Sequence, residues 1–214
     1  MCRYAAVTEH LHELNHIHVS TAFNRLGKLC KLQDSSPRRL TDDAEAFGRL
    51  LRLTREFAKA GTFEPRHVAN TVHGIARLRA AKRVHNDTTD GSDSTLDGTL
   101  AALEAAAGRA APGMNDQEIA NTWYAFATLG RMPAAETWAA LDAAAARAAP
   151  EMIPQGVCNV LHAYARLGKA PGAETWSVLD TTVGAKVSAM TSQGVATTVG
   201  LATVHHVHHV HPKP

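Results

Sequence analysis

The chain has 214 residues, 45% of them hydrophobic, 20% charged and 5% aromatic, with a formal net charge of +2. This composition excludes a wholly disordered polymer and supports one or two domains with a true core. Alanine is abundant and aromatics are scarce, which favours helix over sheet: alanine loses least on entering a helix and has little to pack on a pleat, so an all-α protein is expected.

The three cysteines, Cys2, Cys30 and Cys158, are far apart and form no CxxC pair, so neither a disulfide framework nor a zinc site is indicated. No apolar run approaches the roughly 20 residues that a membrane span needs. The first 16 residues include Glu9 and Glu13 and resemble neither a secretory signal nor an arginine-rich transit peptide. Charge is uneven along the chain: residues 1–83 carry a net +7 and residues 84–214 a net −5. A polyanion is therefore better placed on the first part, unless these are simply the solvated faces of helices.

In chain order, "HVSTAFNRLGKLCKL" (18–32) and "DDAEAFGRLLRLTREFAKA" (42–60) read as a degenerate helix pair, so residues 1–62 form a degenerate helical-repeat N-terminal part. Asp42, Asp43 and Glu45 mark a helix start better than a pair of catalytic acids. From Phe63, "FEPRHVANTVHGIARL" matches "MNDQEIANTWYAFATL" from Met114 at an offset of 51, and "TLAALEAAAGRA" then matches "TWAALDAAAARA" at an offset of 38. The excess of 13 falls in the polar stretch 79–94, which reads as a loop insertion.

From Met114 the period is regular, because Met114, Gln117, Asn121, Leu129-Gly130, Pro133 and Glu136-Thr137-Trp138 all recur 38 residues later, from Met152 to Trp176. A partial copy starts at Met190, with Gln193 in place, and ends near residue 202. The helical repeats thus span 63–200, as 63–113, 114–151, 152–189 and the partial 190–202. Residues 203–214 form a His-rich tail, expected to be disordered.

Each copy reads as two helices. In the first helix, Val68, Val72, Ile75 and Leu78 make one apolar stripe of near-helical period, as do Ile119, Trp123, Phe126 and Leu129, and Val157, Leu161, Tyr164 and Leu167. Leu-Gly closes it, with glycine in the left-handed position. The second helix begins behind Pro133 or Pro171, with Glu136 or Glu174 in its first turn, and Pro150 ends one copy of it. A lone pair cannot bury such stripes on both sides. The expected fold is therefore an α-solenoid, a superhelix of stacked helical hairpins with a 38-residue repeat.

Tetratricopeptide units run to about 34 residues, ankyrin to about 33, and HEAT and armadillo to about 40–47. The motif M-x-x-Q-x-[IV]-x-N leading into [AF]-x-A-x-L-G, followed by P-x-A-E-T-W-x-x-L-D, resembles the octotricopeptide-repeat family, RNA-binding α-solenoids of algal and other organelles. It is also similar to the helical repeats of FAST-kinase-like and RAP-domain proteins. The family's Pro-Pro-Pro-Glu-Trp signature appears only loosely, as Pro133-Ala-Ala-Glu-Thr-Trp138. The resemblance implies binding of single-stranded RNA and a role in organellar RNA processing, stability or translation, in a mitochondrion or chloroplast. With no transit peptide visible, a cytoplasmic location is the other expectation.

Beside the apolar stripe each first helix carries a polar one at i, i+3 and i+7: Thr21, Asn24, Lys28; Asn70, His73, Arg77; Asn121, Tyr124, Thr128; Asn159, His162, Arg166. RNA-reading repeats use such ladders, with side chains on the base and arginine or lysine on phosphate. Residues that specify bases should vary between copies and scaffold residues should recur. His73, Tyr124 and His162 vary as base-stacking readers would, with Arg77, Arg166 and Lys28 as phosphate partners. Asn70, Asn121 and Asn159 recur, which suits a structural role better than an RNA contact, and Gln117 and Gln155 are expected to cap or bridge turns. Trp123, Trp138 and Trp176 share apolar stripes and belong to the core. The basic runs Arg38-Arg39, Arg49-Arg52-Arg55 and Arg77-Arg79-Lys82-Arg83 extend the cationic footprint.

His205, His206, His208, His209 and His211 lack a scaffold that would set metal geometry, and His10, His12, His16 and His18 are treated alike, so no metal and no cofactor is expected. No nucleotide-loop, hydrolase, metalloprotease or kinase motif is present, so no enzyme is expected. The alternative function on the same fold is a protein-interaction scaffold of armadillo or HEAT type, using the concave face or an uncapped last repeat. Arg77, Arg166 and Lys28 lining that face together would favour RNA; Asp116, Glu118 and alanines would favour protein.

Overall fold

A computed structural model describes residues 14–29, 44–81, 96–190 and 196, which form helices joined by short turns, with no strand among them. Cys2, Cys30, His10, His12, Arg38-Arg39, Asp42-Asp43, Lys82-Arg83, most of the insertion, nearly all of the partial last copy and the His-rich tail lie outside the described residues. The chain divides into two compact units, Met1–Ala110 and Ala111–Pro214. No helix among the described residues is long and apolar enough to cross a membrane.

The first unit holds α1 (His16–Leu29), α2 (Ala44–Ala60), α3 (Pro65–Ala80) and α4 (Leu96–Ala110). Here α1 packs chiefly on α3 and α2 on α4, while α1–α2 and α3–α4 join the pairs, so two helical layers share one core. Val19 and Phe23 of α1 are buried with Leu50 and Leu51 of α2 and with Val68, Val72, Ile75 and Leu78 of α3. The expected stripe of α3 is thus wholly interior. Because α3 runs to Ala80, Arg79 and Ala80 are helical rather than part of a loop. Where α1 crosses α3 the backbones nearly touch: a Cβ added to Gly27 would lie 3.0 Å from Gly74 Cα.

The second unit holds α5 (Asp116–Leu129), α6 (Ala135–Ala148), α7 (Pro154–Leu167) and α8 (Ala173–Lys186), with 3₁₀ turns at Ala111–Gly113, Ala149–Glu151 and Val187–Ala189. The pairing is the same, with α5 on α7 and α6 on α8. Its centre is an aromatic cluster in which Trp123 meets Trp138 edge-on at 4.8 Å and Tyr164 at 4.6 Å. The indole N–H of Trp123 donates to the Leu141 carbonyl, 3.4 Å. Trp123 and Trp138 are buried as expected, whereas Trp176 is half-buried.

Helix ends explain much of the recurrent motif. Phe63, Met114 and Met152 each stand one residue before the N-cap of α3, α5 or α7 and are buried. Val68, Ile119 and Val157 occupy the fourth helical positions, and this N′–N4 spacing is that of a hydrophobic staple, which fixes the angle at which the chain enters the helix. The second helices begin behind Pro133 and Pro171 as expected: each proline stands just before the N-cap, Ala134 or Gly172, and both prolines are buried. Trp138 and Trp176 hold the fourth position there, so each proline has the N′ place in the spacing of a staple rather than a place in the first turn. Gly130 and Gly168, at φ 64° and 69°, close α5 and α7 in the left-handed conformation as expected.

Asp142 organises the α6–α8 side of the second unit. Its carboxylate accepts the Tyr164 hydroxyl at 2.6 Å, the Thr175 hydroxyl at 2.7 Å and the Gly172 N–H at 3.2 Å. Burial, and then the Asp142 charge, hold the Tyr164 phenol far above its usual range. In the unfolded chain the phenol ionises near pH 10, so its contribution to stability is complete below that pH and is lost as pH rises above it. Urea unfolding at pH 9 to 11.5 should therefore show a loss of about 1.4 kcal/mol per pH unit above pH 10 from this group. Tyr164→Phe should lack that component, and identical slopes for the two proteins would refute the assignment.

Candidate nucleic-acid interface

The polar stripe lies on the first-helix layer of each unit. In the first unit Asn24 and Lys28 come from α1 and Asn70, His73 and Arg77 from α3; Lys28 is exposed and the other four are half-buried. The close crossing at Gly27 brings the two rungs together, since a Cβ on Gly27 would lie 3.4 Å from Arg77 Cβ. Lys28 follows Gly27 on α1 and Arg77 lies three residues after Gly74 on α3, so the helices that meet at this crossing carry both charges. The crossing depends on glycine: a larger side chain there would separate these two helices.

In the second unit, Asn121, Tyr124 and Thr128 of α5 lie alongside Asn159, His162 and Arg166 of α7, all half-buried except the exposed Arg166. Arg166 has a structural task as well, because its Nε–H donates to the Ala127 carbonyl at 2.7 Å. It thereby ties the last turn of α5 to α7 with one of five donors. Burial, and then the Arg166 charge, lower the His162 pKa, so the ring is neutral at neutral pH and suits stacking or hydrogen bonding rather than phosphate pairing. The Gln155 amide donates to Asn159 Oδ1 at 2.9 Å, one turn along the same helix; it caps no turn. Glu118 accepts the Asn115 N–H at 3.0 Å, and Asn115 accepts the Glu118 N–H at 2.9 Å, a reciprocal capping box that gives this acid a local task.

Several working residues escaped the sequence reading. Thr99, Thr137 and Thr175, each 38 residues apart, are buried at the starts of the second helices. Thr99 donates to the Leu51 carbonyl at 3.1 Å, and Thr175 reaches both the carboxylate and the carbonyl of Asp142. Cations near the second-helix ends bind backbone carbonyls of the preceding hairpin or of the turn that leads into their own. Arg109 reaches Ala58 at 2.6 Å, Arg147 reaches Ala111 and Met114 at 3.1 and 2.9 Å, and Lys186 reaches Pro150 and Met152. The 38-residue interval from Arg109 to Arg147 was the available signal. Lys186, one residue out of step, obscures it.

Cys158 is buried and its thiol is pushed up by that burial, which keeps it protonated and unreactive. No group of three or more His, Cys, Asp or Glu among the described residues is arranged to hold a metal. No protein-family model matches the chain, and no curated protein matches it at a significant level.

Proposed function

We propose that the chain is an RNA-binding helical-repeat protein whose first-helix layer receives single-stranded RNA. The observation that carries this reading is the close α1–α3 crossing, which brings together the two helices that carry Lys28 and Arg77 along with Asn24, Asn70 and His73. Cations that neutralise phosphate, next to planar groups that can stack on or hydrogen-bond a base, are what sequence-tolerant single-strand binding requires. The 38-residue recurrence and the two-layer pairing within each unit support the finer reading of stacked hairpins in an α-solenoid related to octotricopeptide-repeat proteins. A place in organellar RNA processing, stability or translation rests on that resemblance alone. The role is one of binding, without catalysis.

The test is fluorescence polarisation of the full chain with a random single-stranded RNA pool, titrated from low to physiological salt. Binding should weaken steeply with salt. Lys28→Ala/Arg77→Ala should weaken it further and flatten the plot of log affinity against log salt by about 1.4, as expected for two phosphate contacts on a single strand. An absence of binding at low salt, or an unchanged slope in the variant, would sink the RNA reading in favour of a protein-binding scaffold.

A further inference from the structure

The second-helix layer of the first unit contains an open cleft of about 490 Å³ between α2 and α4, lined by Arg55, Lys59 and Arg109 with Gly98, Ala101, Ala102 and Ala105. No carboxylate is among these lining residues. We propose that this cleft binds the phosphate chain of a small phosphorylated anion. The proposal is independent of the RNA reading, which concerns the other helical layer.

Three features carry it. Thr99 bonds to Leu51 and Arg109 to Ala58, so α2 and α4 run parallel, and the second of these bonds places Arg109 beside Lys59 at the carboxyl ends of both helices. Arg55 stands one turn before Lys59. The cations therefore gather toward one end of the cleft, and the small residues form a smooth floor toward the other. Next, two of the three cations are held in advance. Arg55 is 9% exposed, and Arg109 is fixed by the Ala58 carbonyl, which engages part of a guanidinium that has five donors. Burial of Arg55 and the anchor on Arg109 thus reduce the side-chain entropy left to lose at these two residues when an anion arrives, while Lys59 is exposed. Finally, the repeat supplies an internal comparison. Where α6 and α8 carry Glu136 and Glu174, both exposed in their first turns, the corresponding residue of α4 is Gly98, a lining residue of the cleft. A glutamate there would repel phosphate and narrow the cleft.

The size suits a ligand of nucleotide scale, since small-molecule sites run from about 300 to 1,000 Å³. Arginine and lysine are the groups that recognise phosphate through charge-assisted hydrogen bonds. The ligand's phosphates would sit between Lys59, Arg55 and Arg109, and any nucleoside would lie along the alanine floor.

Isothermal titration calorimetry of the full chain at low salt with EDTA, using inorganic tripolyphosphate and ATP as separate probes, tests this. Both probes should bind, and Lys59→Glu and Gly98→Glu should each weaken binding by about tenfold or more. Lys28→Ala/Arg77→Ala, which removes two charges elsewhere in the same unit, should leave both titrations unchanged. Equal affinity for the two probes names the phosphate chain alone as the ligand, and tighter ATP adds the floor as a nucleoside seat. Lys59 is exposed and Gly98 takes the residue its counterparts already carry, so helical circular dichroism should be unaltered in both variants. No heat with either probe, or equal weakening in all three variants, overturns the proposal.

Discussion

Trp123→Ala is expected to remove about 3–5 kcal/mol of stability, the usual cost of deleting a large aromatic from a packed core. The side chain is fully buried, lies edge-on to Trp138 and tilted against Tyr164, and donates to the Leu141 carbonyl. These partners come from α6 and α7, so one deletion opens a cavity between a hairpin's own second helix and the first helix of the next hairpin. Neither neighbour can close the gap without losing its contact with the other. Trp176→Ala is the matched control, since Trp176 repeats the place of Trp138 but is only half-buried. Urea unfolding followed by far-UV circular dichroism should show a much larger loss for Trp123 than for Trp176. Near-UV dichroism should also lose the signal of the coupled indoles. A cost below about 1 kcal/mol for Trp123→Ala would mean that the cluster does not organise the second unit.

The apolar stripes were legible in the sequence because a helix places every third or fourth residue on one face whatever its neighbours are, and the residues named from period alone are found inside except Leu167 and Trp176, which are half-buried. The same holds for Gly130 and Gly168, whose left-handed conformation is a local requirement. Pro133 and Pro171 marked where each second helix begins, but not their exact place, because proline is acceptable both in a first turn and just before a cap. The choice depends on whether its ring has an apolar neighbour to pack on, which the local sequence does not state. Thr175 and Asp142 were invisible as partners for a different reason. Their bonds join residues 33 apart across two hairpins, and the sequence records each residue without the distance between them. The candidate site divides in the same way. Period put His162 and Arg166 on one face, but the bond from Arg166 to Ala127 depends on how closely α7 approaches α5.

Gly74→Ala should separate packing from propensity most sharply, because the two make opposite predictions. Intrinsic helix propensity alone would have alanine stabilise the interior of α3 by about 1 kcal/mol. A Cβ at Gly74, however, would lie 2.6 Å from the carbonyl carbon of Phe23 and 3.0 Å from Phe23 Cβ. The obstruction is the backbone of α1, not the end of a flexible side chain, so relief requires the two helices to move apart. Overpacking of this kind costs roughly 1–3 kcal/mol, occasionally more. We expect a net loss of about 2 kcal/mol once the propensity gain is set against it. Gly48→Ala is the control: a Cβ there meets nothing within 4 Å, and the substitution should stabilise by up to about 1 kcal/mol. Calorimetric unfolding measures both signs, and hydrogen exchange in α1 and α3 should quicken in Gly74→Ala. A Gly74→Ala protein as stable as the parent would show that the crossing is looser than described. The same variant bears on the proposed interface, because the crossing sets the separation of the two helices that carry Lys28 and Arg77. Gly74→Ala should then lose stability and RNA affinity together, whereas Lys28→Ala/Arg77→Ala should lose affinity while unfolding at the parent's temperature. If Gly74→Ala kept full affinity, the two rungs would not need their present spacing to hold a strand, and the α1–α3 crossing would be architecture alone.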